Sequence, residues 1–213
     1  MSDNSFRTKE EEVVNSYTHL LWSILSLTFL TIFLIDETMS WRLKVSSLFM
    51  LGLSSWTFFS SFLYHSTSDI LKDRNREVDI TSIYLMTTGC GVSMSLACLD
   101  HFLSAVAGIS IILMGCSLTA IYAIKRNISE VFLVTSFILL GWLCILPITG
   151  IFGKTVYSAS SSIWFIILGG LFYSTGLLFY ARDSIKWNHT RWHIFVMLGY
   201  LMHVIAHYQV INY

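Results

Sequence analysis

Charge is what this 213-residue sequence most lacks: only 12% of its residues are Asp, Glu, Lys or Arg. A soluble domain usually carries about 25% charged residues, so a chain with half that density cannot cover its surface with solvated side chains. Proline occurs once, 54% of the residues are hydrophobic and the mean hydropathy is +0.65. These values exclude an ordinary cytosolic globular protein and a disordered chain, and they indicate an integral membrane protein.

An excess of one charge sign is also lacking, because 13 basic and 13 acidic residues give a formal net charge of +0. Nucleic-acid-binding proteins normally present a basic surface, so no nucleic-acid partner is expected. The cysteines all lie in apolar runs, without the CxxC spacing of zinc or redox motifs, and we interpret them as buried thiols. They are Cys90, Cys98, Cys116 and Cys144.

Seven segments contain no charged residue and are long enough to cross a membrane, which takes roughly 20 mostly apolar residues. None of them alternates with the period of two that a barrel strand would show. They predict an all-α integral membrane protein with seven transmembrane helices, forming a single domain over residues 1–213. Only Asp100 and His101 separate the third and fourth segments, which predicts a very tight turn. The predicted helices cover about 17–35, 45–64, 80–99, 102–124, 131–150, 161–181 and 192–211.

The basic residues divide unequally between the two sides of this predicted bundle. With seven helices the chain termini lie on opposite sides. Ten of the basic residues fall on the side of the N-terminus, and three, Arg42, Lys44 and Lys154, fall on the other. Because cytoplasmic loops carry the excess of Lys and Arg, we expect a cytoplasmic N-terminus and an outer C-terminus. In a bacterium such a protein would lie in the plasma (inner) membrane, with the lipid bilayer as its partner.

Several histidines lie in or beside the predicted membrane segments. Ionisable residues are costly there, so each one suggests a functional role by default. Two pairs near the C-terminus share the i,i+4 spacing that turns both imidazoles to one side of a helix. They are His189 with His193, and His203 with His207. His65, at the cytoplasmic end of the second predicted helix, shares the depth of the first pair only, because His203 lies ~15 Å beyond His193 along the helix.

That difference in depth decides which histidines can share a zinc ion, which binds nitrogen at about 2.0–2.1 Å. Three neutral imidazoles, His65, His189 and His193, with one open coordination position would resemble a catalytic zinc site. Ser61 lies one helical turn from His65, and Asp79 opens the neighbouring predicted helix at nearly the same depth. A serine and a carboxylate placed there would position and deprotonate a bound water.

Other interpretations of these residues stay open at this point. Ser61, His65 and Asp79 could form a serine-hydrolase triad, although Ser61 lacks a nucleophile elbow and two histidines would then have no role. Asp69 could be a metal ligand, but it precedes a charged loop and is expected to be solvated. For His203 and His207 the alternative is an interhelical hydrogen bond, and for His101 it is a place at the membrane surface.

Several stretches of the chain resemble motifs of a known family. They are Glu12-Val-Val-Asn15-Ser-Tyr-Thr18-His19, Ser61-Phe-Leu-Tyr-His65, Val78-Asp79-Ile-Thr-Ser-Ile-Tyr84-Leu, Gly169-Gly170-Leu-Phe-Tyr173, and Asn188-His189-Thr-Arg-Trp192-His193-Ile-Phe-Val196 followed by His203. Their order and spacing cover the chain nearly end to end. By these motifs the chain resembles the hemolysin III group within the progestin and adipoQ receptor family of seven-helix membrane proteins.

The resemblance implies a zinc (Zn2+) site on the cytoplasmic side, with His65, His189 and His193 as ligands and with Asp79 and Ser61 around the bound water. It also implies supporting roles near the site for Glu12, Asn15 and His19, and it places His203 on a recurrent histidine outside the ligand set. The chain departs from many bacterial relatives at Ile80, where they have histidine. It also lacks the proline that commonly occurs further along their third helix, where this chain has Gly89-Cys90-Gly91.

Two classes of function remain. The first is an intramembrane zinc-dependent hydrolase of lipid amides or esters, with an amide as the first expectation because the family has ceramidase-like relatives. The second is a non-catalytic, zinc-containing receptor, pore-like (hemolysin) or membrane-homeostasis protein. An ion-coupled transporter is less expected, because neither an inverted repeat nor a charge in the middle of the membrane is visible. The substrate and the oligomeric state stay open.

Overall fold

The computed structural model describes residues 7–68, 70–98, 102–125, 128–149 and 156–211. All the regular secondary structure in these ranges is helical, without a strand. Seven helices are long and apolar enough to cross a membrane, which confirms the predicted all-α, seven-helix membrane fold. They are α1 (Lys9–Ile35), α2 (Trp41–Ser66), α3 (Leu71–Ala97), α4 (Phe102–Ile124), α5 (Glu130–Ile148), α6 (Val156–Tyr180) and α7 (Asn188–Ile211). Asp69, Asp100 and His101, with the predicted tight turn, lie outside the described residues.

Several helices extend beyond their charge-free segments. α1 begins at Lys9 because Thr8 caps it: the Thr8 hydroxyl accepts a hydrogen bond from the Glu11 amide, and the Glu11 carboxylate accepts one from the Thr8 amide. α3 begins at Leu71 and α7 at Asn188, both earlier than predicted. The ends of a membrane helix can extend into water and carry charged side chains there. A charge-free segment therefore marks only the part of the helix that lies in hydrocarbon, and not its full length.

Two of the helices are irregular where the sequence predicted regular ones. α2 contains a π-helical turn at Leu48–Gly52. α5 is interrupted after Leu143 and resumes at Leu146, next to the proline of the chain, Pro147. Proline has no backbone N–H and disturbs the preceding turn, which accounts for the break. The carbonyl of Pro147 accepts a 2.6 Å hydrogen bond from the hydroxyl of Ser104 on α4.

α3 runs without a break past both departures from the family pattern. Ile80 is buried in its first half. Gly89 permits a close approach to α2, because a Cβ added there would lie 2.5 Å from the carbonyl oxygen of Phe49. The glycine thus contributes close helix packing, as small residues do in membrane proteins.

Serines join the helices inside the bundle, while many large apolar side chains are exposed on its outer surface. Ser23 of α1 pairs with Ser55 of α2, and Ser46 of α2 pairs with Ser93 of α3. Helix association in lipid relies on such small residues and hydrogen bonds, because an apolar side chain contacts lipid tails as favourably as it contacts another helix. The result is a bundle in which α1 packs on α2, α2 on α3, α3 on α4, and α6 on α7.

Candidate metal centre

A buried histidine cluster lies where the end of α2 meets the start of α7. His65 is in the last turn of α2, and His189 and His193 are in the first two turns of α7. Each contributes one ligand atom to a set whose members lie within 4.8 Å of one another. The Nε2 atoms of His65 and His189 are 3.2 Å apart. All three residues are at most 5% exposed. The structure thus brings together the histidines that shared a depth in the sequence.

Carboxylates lie beside the outer nitrogens of two of these imidazoles. Oε2 of Glu12 on α1 lies 2.6 Å from Nδ1 of His65. Oδ1 of Asp183, in the linker between α6 and α7, lies 3.1 Å from Nδ1 of His189. A carboxylate on one imidazole nitrogen selects the tautomer that leaves the other nitrogen free for a metal. The converging nitrogens and their carboxylate partners therefore fit a metal ion, and the cluster can hold one.

Arg7 connects the two carboxylates. Its guanidinium forms an ion pair with Asp183, lies 3.7 Å from Oε1 of Glu12 and donates a 3.2 Å hydrogen bond to the Tyr64 hydroxyl. Burial opposes the charge of Asp183, but the contacts with His189 and Arg7 outweigh it and hold the pKa of that carboxyl well below its ordinary value. Asp183 is therefore ionised at neutral pH and places a negative charge beside the His189 ring.

α1 also determines where α7 begins. Trp187, just before α7, has a positive φ of 66°, in the left-handed region that residues other than glycine rarely adopt. Its backbone N–H donates to the carboxylate of Glu11. One turn further along, the hydroxyl of Thr190 donates a 2.7 Å hydrogen bond to Oδ1 of Asn15. These contacts anchor the first turn of α7, which carries His189, against α1.

Ser61 and Asp79 line the same cavity as His189 and His193. The Ser61 hydroxyl is hydrogen-bonded to the Asp79 carboxyl group. Since Ser61 is bonded to Asp79, and the two nitrogens of His65 face Glu12 and His189, the alternative serine-hydrolase triad is not formed among these described residues. The pair is placed instead to act on a group held beside the histidine cluster.

The other histidines have different surroundings. His19 stacks on His193, with ring centroids 3.8 Å apart and an interplanar angle of 5°. His207 lies between two serine hydroxyls, 3.2 Å from Ser47 and 3.0 Å from Ser93, which confirms its interpretation as an interhelical hydrogen-bonding residue. His203 lies deeper along α7 than the cluster, with its ring against Tyr173. His203 and His207, the second histidine pair with i,i+4 spacing on α7, therefore contact different partners.

A cavity of about 310 Å³ extends from the cluster into the bundle. Arg7 and Asp183 line it at the end beside the cluster. His203, which lies further along α7 than His193, lines it deeper in the bundle. Apolar side chains such as Phe137 and Leu177 form much of its wall. Its volume is at the lower end of the range of about 300–1,000 Å³ that ligand pockets occupy.

Sequence reasoning missed Asp183 and Arg7. Asp183 stands in a charged linker and resembles a solvated loop residue. Arg7 entered only the count of basic residues that predicts the membrane topology. The one available signal was that Asp183 precedes His189 by six residues, in the linker that leads into the histidine-bearing helix.

The fold and the cluster together define a multi-pass integral membrane protein with a buried site that can hold a metal ion. More specifically, the chain belongs to the haemolysin III family: the family model described as haemolysin-III related matches residues 7–204. The Hemolysin-3 homolog of Bacillus subtilis (strain 168) is 30% identical over 205 residues, covering 90% of this chain and 90% of that protein. Hemolysin-3 of Bacillus cereus is 28% identical over 205 residues, covering 91% and 88%. In a bacterium the protein lies in the plasma membrane.

Proposed function

We propose that the protein is a zinc-dependent hydrolase of lipid amides or esters. The observation that carries this proposal is the shared cavity: His189 and His193 line it together with the hydrogen-bonded pair Ser61 and Asp79. A metal-binding cluster, a carboxyl group and an apolar chamber in one space are the parts that hydrolysis inside a membrane needs. We also propose, from the distribution of basic residues, that this site lies toward the cytoplasm.

His65, His189 and His193 would hold the metal, and Glu12 and Asp183 would keep two of the rings oriented. When bound, zinc would polarise the scissile carbonyl and lower the pKa of a water at its open position. Side chains of the protein would carry out the proton transfers of the proposed reaction.

Asp79 would accept the proton of the attacking water and then pass it to the leaving amine or alcohol. General acid–base catalysis of this kind contributes typically 10²–10⁴-fold to a rate. The hydroxyl of Ser61 would keep the Asp79 carboxyl group oriented toward the cavity through their hydrogen bond. Asp79 is thus the proposed catalytic acid–base, and Ser61 positions it.

The shape and lining of the cavity support a lipid as the substrate. Arg7 and Asp183 line it beside the histidine cluster, and apolar residues such as Ile83, Phe137 and Leu177 form much of the rest of its wall. A lipid with its carbonyl at the cluster would therefore leave its alkyl chain in the apolar part. We expect an amide, such as a ceramide, to be a better substrate than an ester.

A second function is favoured by one specific observation. Arg7 joins Glu12, Asp183 and Tyr64, and so ties the start of α1 to α2 and to the α6–α7 linker around the cluster. A metal clamped in this way would stabilise the bundle of a non-catalytic receptor, a pore-like protein or a membrane-homeostasis protein.

Metal removal from the purified protein separates the two functions. Zinc content and turnover of short-chain ceramide and ester analogues would be measured on the same samples before chelation, after chelation and after zinc is returned. A hydrolase loses turnover with its zinc and regains it. Full zinc without turnover of any lipid, combined with a large loss of thermal stability on chelation, supports the structural role and contradicts the hydrolase.

A further inference from the structure

Two polar groups at the deep end of the cavity lack hydrogen-bond partners. They are Nε2 of His203 on α7 and the hydroxyl of Tyr173 on α6; both atoms are buried, and within the described ranges neither has a partner. Both residues line the cavity, and His203 is only 5% exposed. Buried polar groups are nearly always hydrogen-bonded, and leaving one without a partner is destabilising. The pair is therefore suited to a polar group that enters the cavity.

The two rings occupy this place because glycines leave room for them. Their centroids are 5.3 Å apart in an edge-to-face arrangement. A Cβ added at Gly169 would lie 2.7 Å from Nε2 of His203, and one added at Gly199 would lie 2.9 Å from the ring of Tyr173. Either methyl group would displace one of the rings, so both glycines are required for this geometry.

The hydrogen-bonding capacity of the pair identifies the kind of group that it would accept. The His203 ring is hydrogen-bonded to the backbone of Ile166, and since Nε2 is the nitrogen without a partner, we assign the proton to Nδ1. Nε2 is then an acceptor only, while the Tyr173 hydroxyl both donates and accepts. A hydroxyl group satisfies both residues, because it can donate to His203 and accept from Tyr173. A carbonyl oxygen satisfies Tyr173 alone, and a methylene group satisfies neither.

We propose that His203 and Tyr173 form a subsite that recognises a hydroxyl group on the alkyl chain of a lipid whose polar head lies at the histidine cluster. The subsite is ~15 Å from His193 along α7, so this hydroxyl belongs to the middle of a long chain and not to the head. The inference rests on the proposed function only in placing the head of the lipid at the cluster. It adds a preference for a hydroxylated chain over a plain one.

Equilibrium binding to the purified protein in lipid nanodiscs tests this subsite without any turnover. The probes are octadecanoic acid and 12-hydroxyoctadecanoic acid, which represent the acyl products of the proposed reaction. In the second probe the hydroxyl lies on the order of 15 Å from the carboxyl group, which matches the rise from His193 to His203. Each probe would be titrated against a fluorescent fatty acid. For wild type we expect the hydroxylated probe to bind about three- to tenfold more tightly, the range of one or two neutral hydrogen bonds.

Tyr173→Phe removes one hydroxyl and keeps the ring, so it should bind the plain probe as wild type does and lose most of the preference. His203→Leu should lose the preference as well. Tyr200→Phe is the matched control, since Tyr200 is a buried tyrosine whose hydroxyl donates to Ser26 and which does not line the cavity. This control should keep the full preference. Tyr173→Phe alone decides the test if His203→Leu does not fold.

Three results would overturn the inference: equal binding of the two probes to wild type, an unchanged preference in Tyr173→Phe, or no binding of either probe. Equal binding would mean that only water occupies the subsite, and it would leave the proposed hydrolase unaffected. Conversely, a hydroxyl preference that depends on Tyr173 in a protein that turns over no lipid would support the subsite and contradict the hydrolase.

Discussion

Glu12 and His65 are joined across the interface of α1 and α2, with Oε2 of the glutamate 2.6 Å from Nδ1 of the histidine. The orientation of a candidate metal ligand on α2 therefore depends on the first turn of α1. Asp183, in the α6–α7 linker, lies 3.1 Å from Nδ1 of His189, and Arg7 contacts both carboxylates. The cluster is thus set by parts of the chain that lie at the ends of four different helices.

Glu12→Gln should weaken zinc binding about 10–100-fold, because the amide still fills the space but no longer provides the charge that orients His65 and raises its basicity. Zinc affinity would be measured by competition with a chromophoric chelator. Glu10→Gln is the control, since Glu10 is an exposed neighbour on the same helical turn. Wild-type affinity in Glu12→Gln would show that the contact does not support the metal.

Alanine at His65, His189 or His193 should remove most of the bound zinc, because two remaining ligands bind a metal far more weakly than three. Elemental analysis of purified protein checks this expectation, with one zinc per chain expected in wild type. His207→Ala should retain the metal, since His207 is bonded to Ser47 and Ser93, and His203→Ala should retain it as well. If the metal disappears with His203 or His207 instead, the proposed ligand set is wrong.

Asp79→Asn should leave the fold and the zinc content largely intact and should lower lipid hydrolysis about 10²–10⁴-fold. Asparagine has nearly the same shape but cannot accept the proton of the attacking water. Turnover and zinc content would be measured on the same samples. Asp73→Asn, an exposed aspartate in the first turn of the same helix, is the matched control and should behave as wild type. Equal turnover by Asp79→Asn and wild type would contradict a catalytic role for Asp79.

Ser61→Ala should cost much less than Asp79→Asn, about 0.5–1.5 kcal/mol or roughly two- to twelvefold in rate, since it removes one hydrogen bond that positions the carboxyl group. Steady-state kinetics on a short-chain ceramide analogue would give the comparison. A loss in Ser61→Ala as large as that in Asp79→Asn would mean that the serine takes part in the chemistry directly.

The topology is tested by reporter fusions at the two ends of the chain. We expect a cytoplasmic N-terminus and an outer C-terminus, because ten of the thirteen basic residues fall on the N-terminal side of the bundle. A C-terminal fusion should therefore be active with an extracytoplasmic reporter and inactive with a cytoplasmic one. The opposite pattern would place the histidine cluster near the outer face.

The sequence by itself determined the membrane location, the seven helices and the histidines that share a depth. Hydrophobic length and helical rise are local quantities: a run of apolar residues must cross the bilayer, and position along it gives depth. His65 could be matched with His189 and His193 in this way, before any contact between α2 and α7 was known.

Only the tertiary structure decided which residues face one another at a given depth. The rotation of each helix about its axis, and the path of each linker, depend on packing against neighbours that are distant in sequence. For that reason Asp183 and Arg7 became recognisable only in the folded chain, where Asp183 lies beside His189 and Arg7 contacts both Asp183 and Glu12. The pairing of His203 with Tyr173 across Gly169 was decided in the same way, since it needs α6 and α7 close together in one particular register.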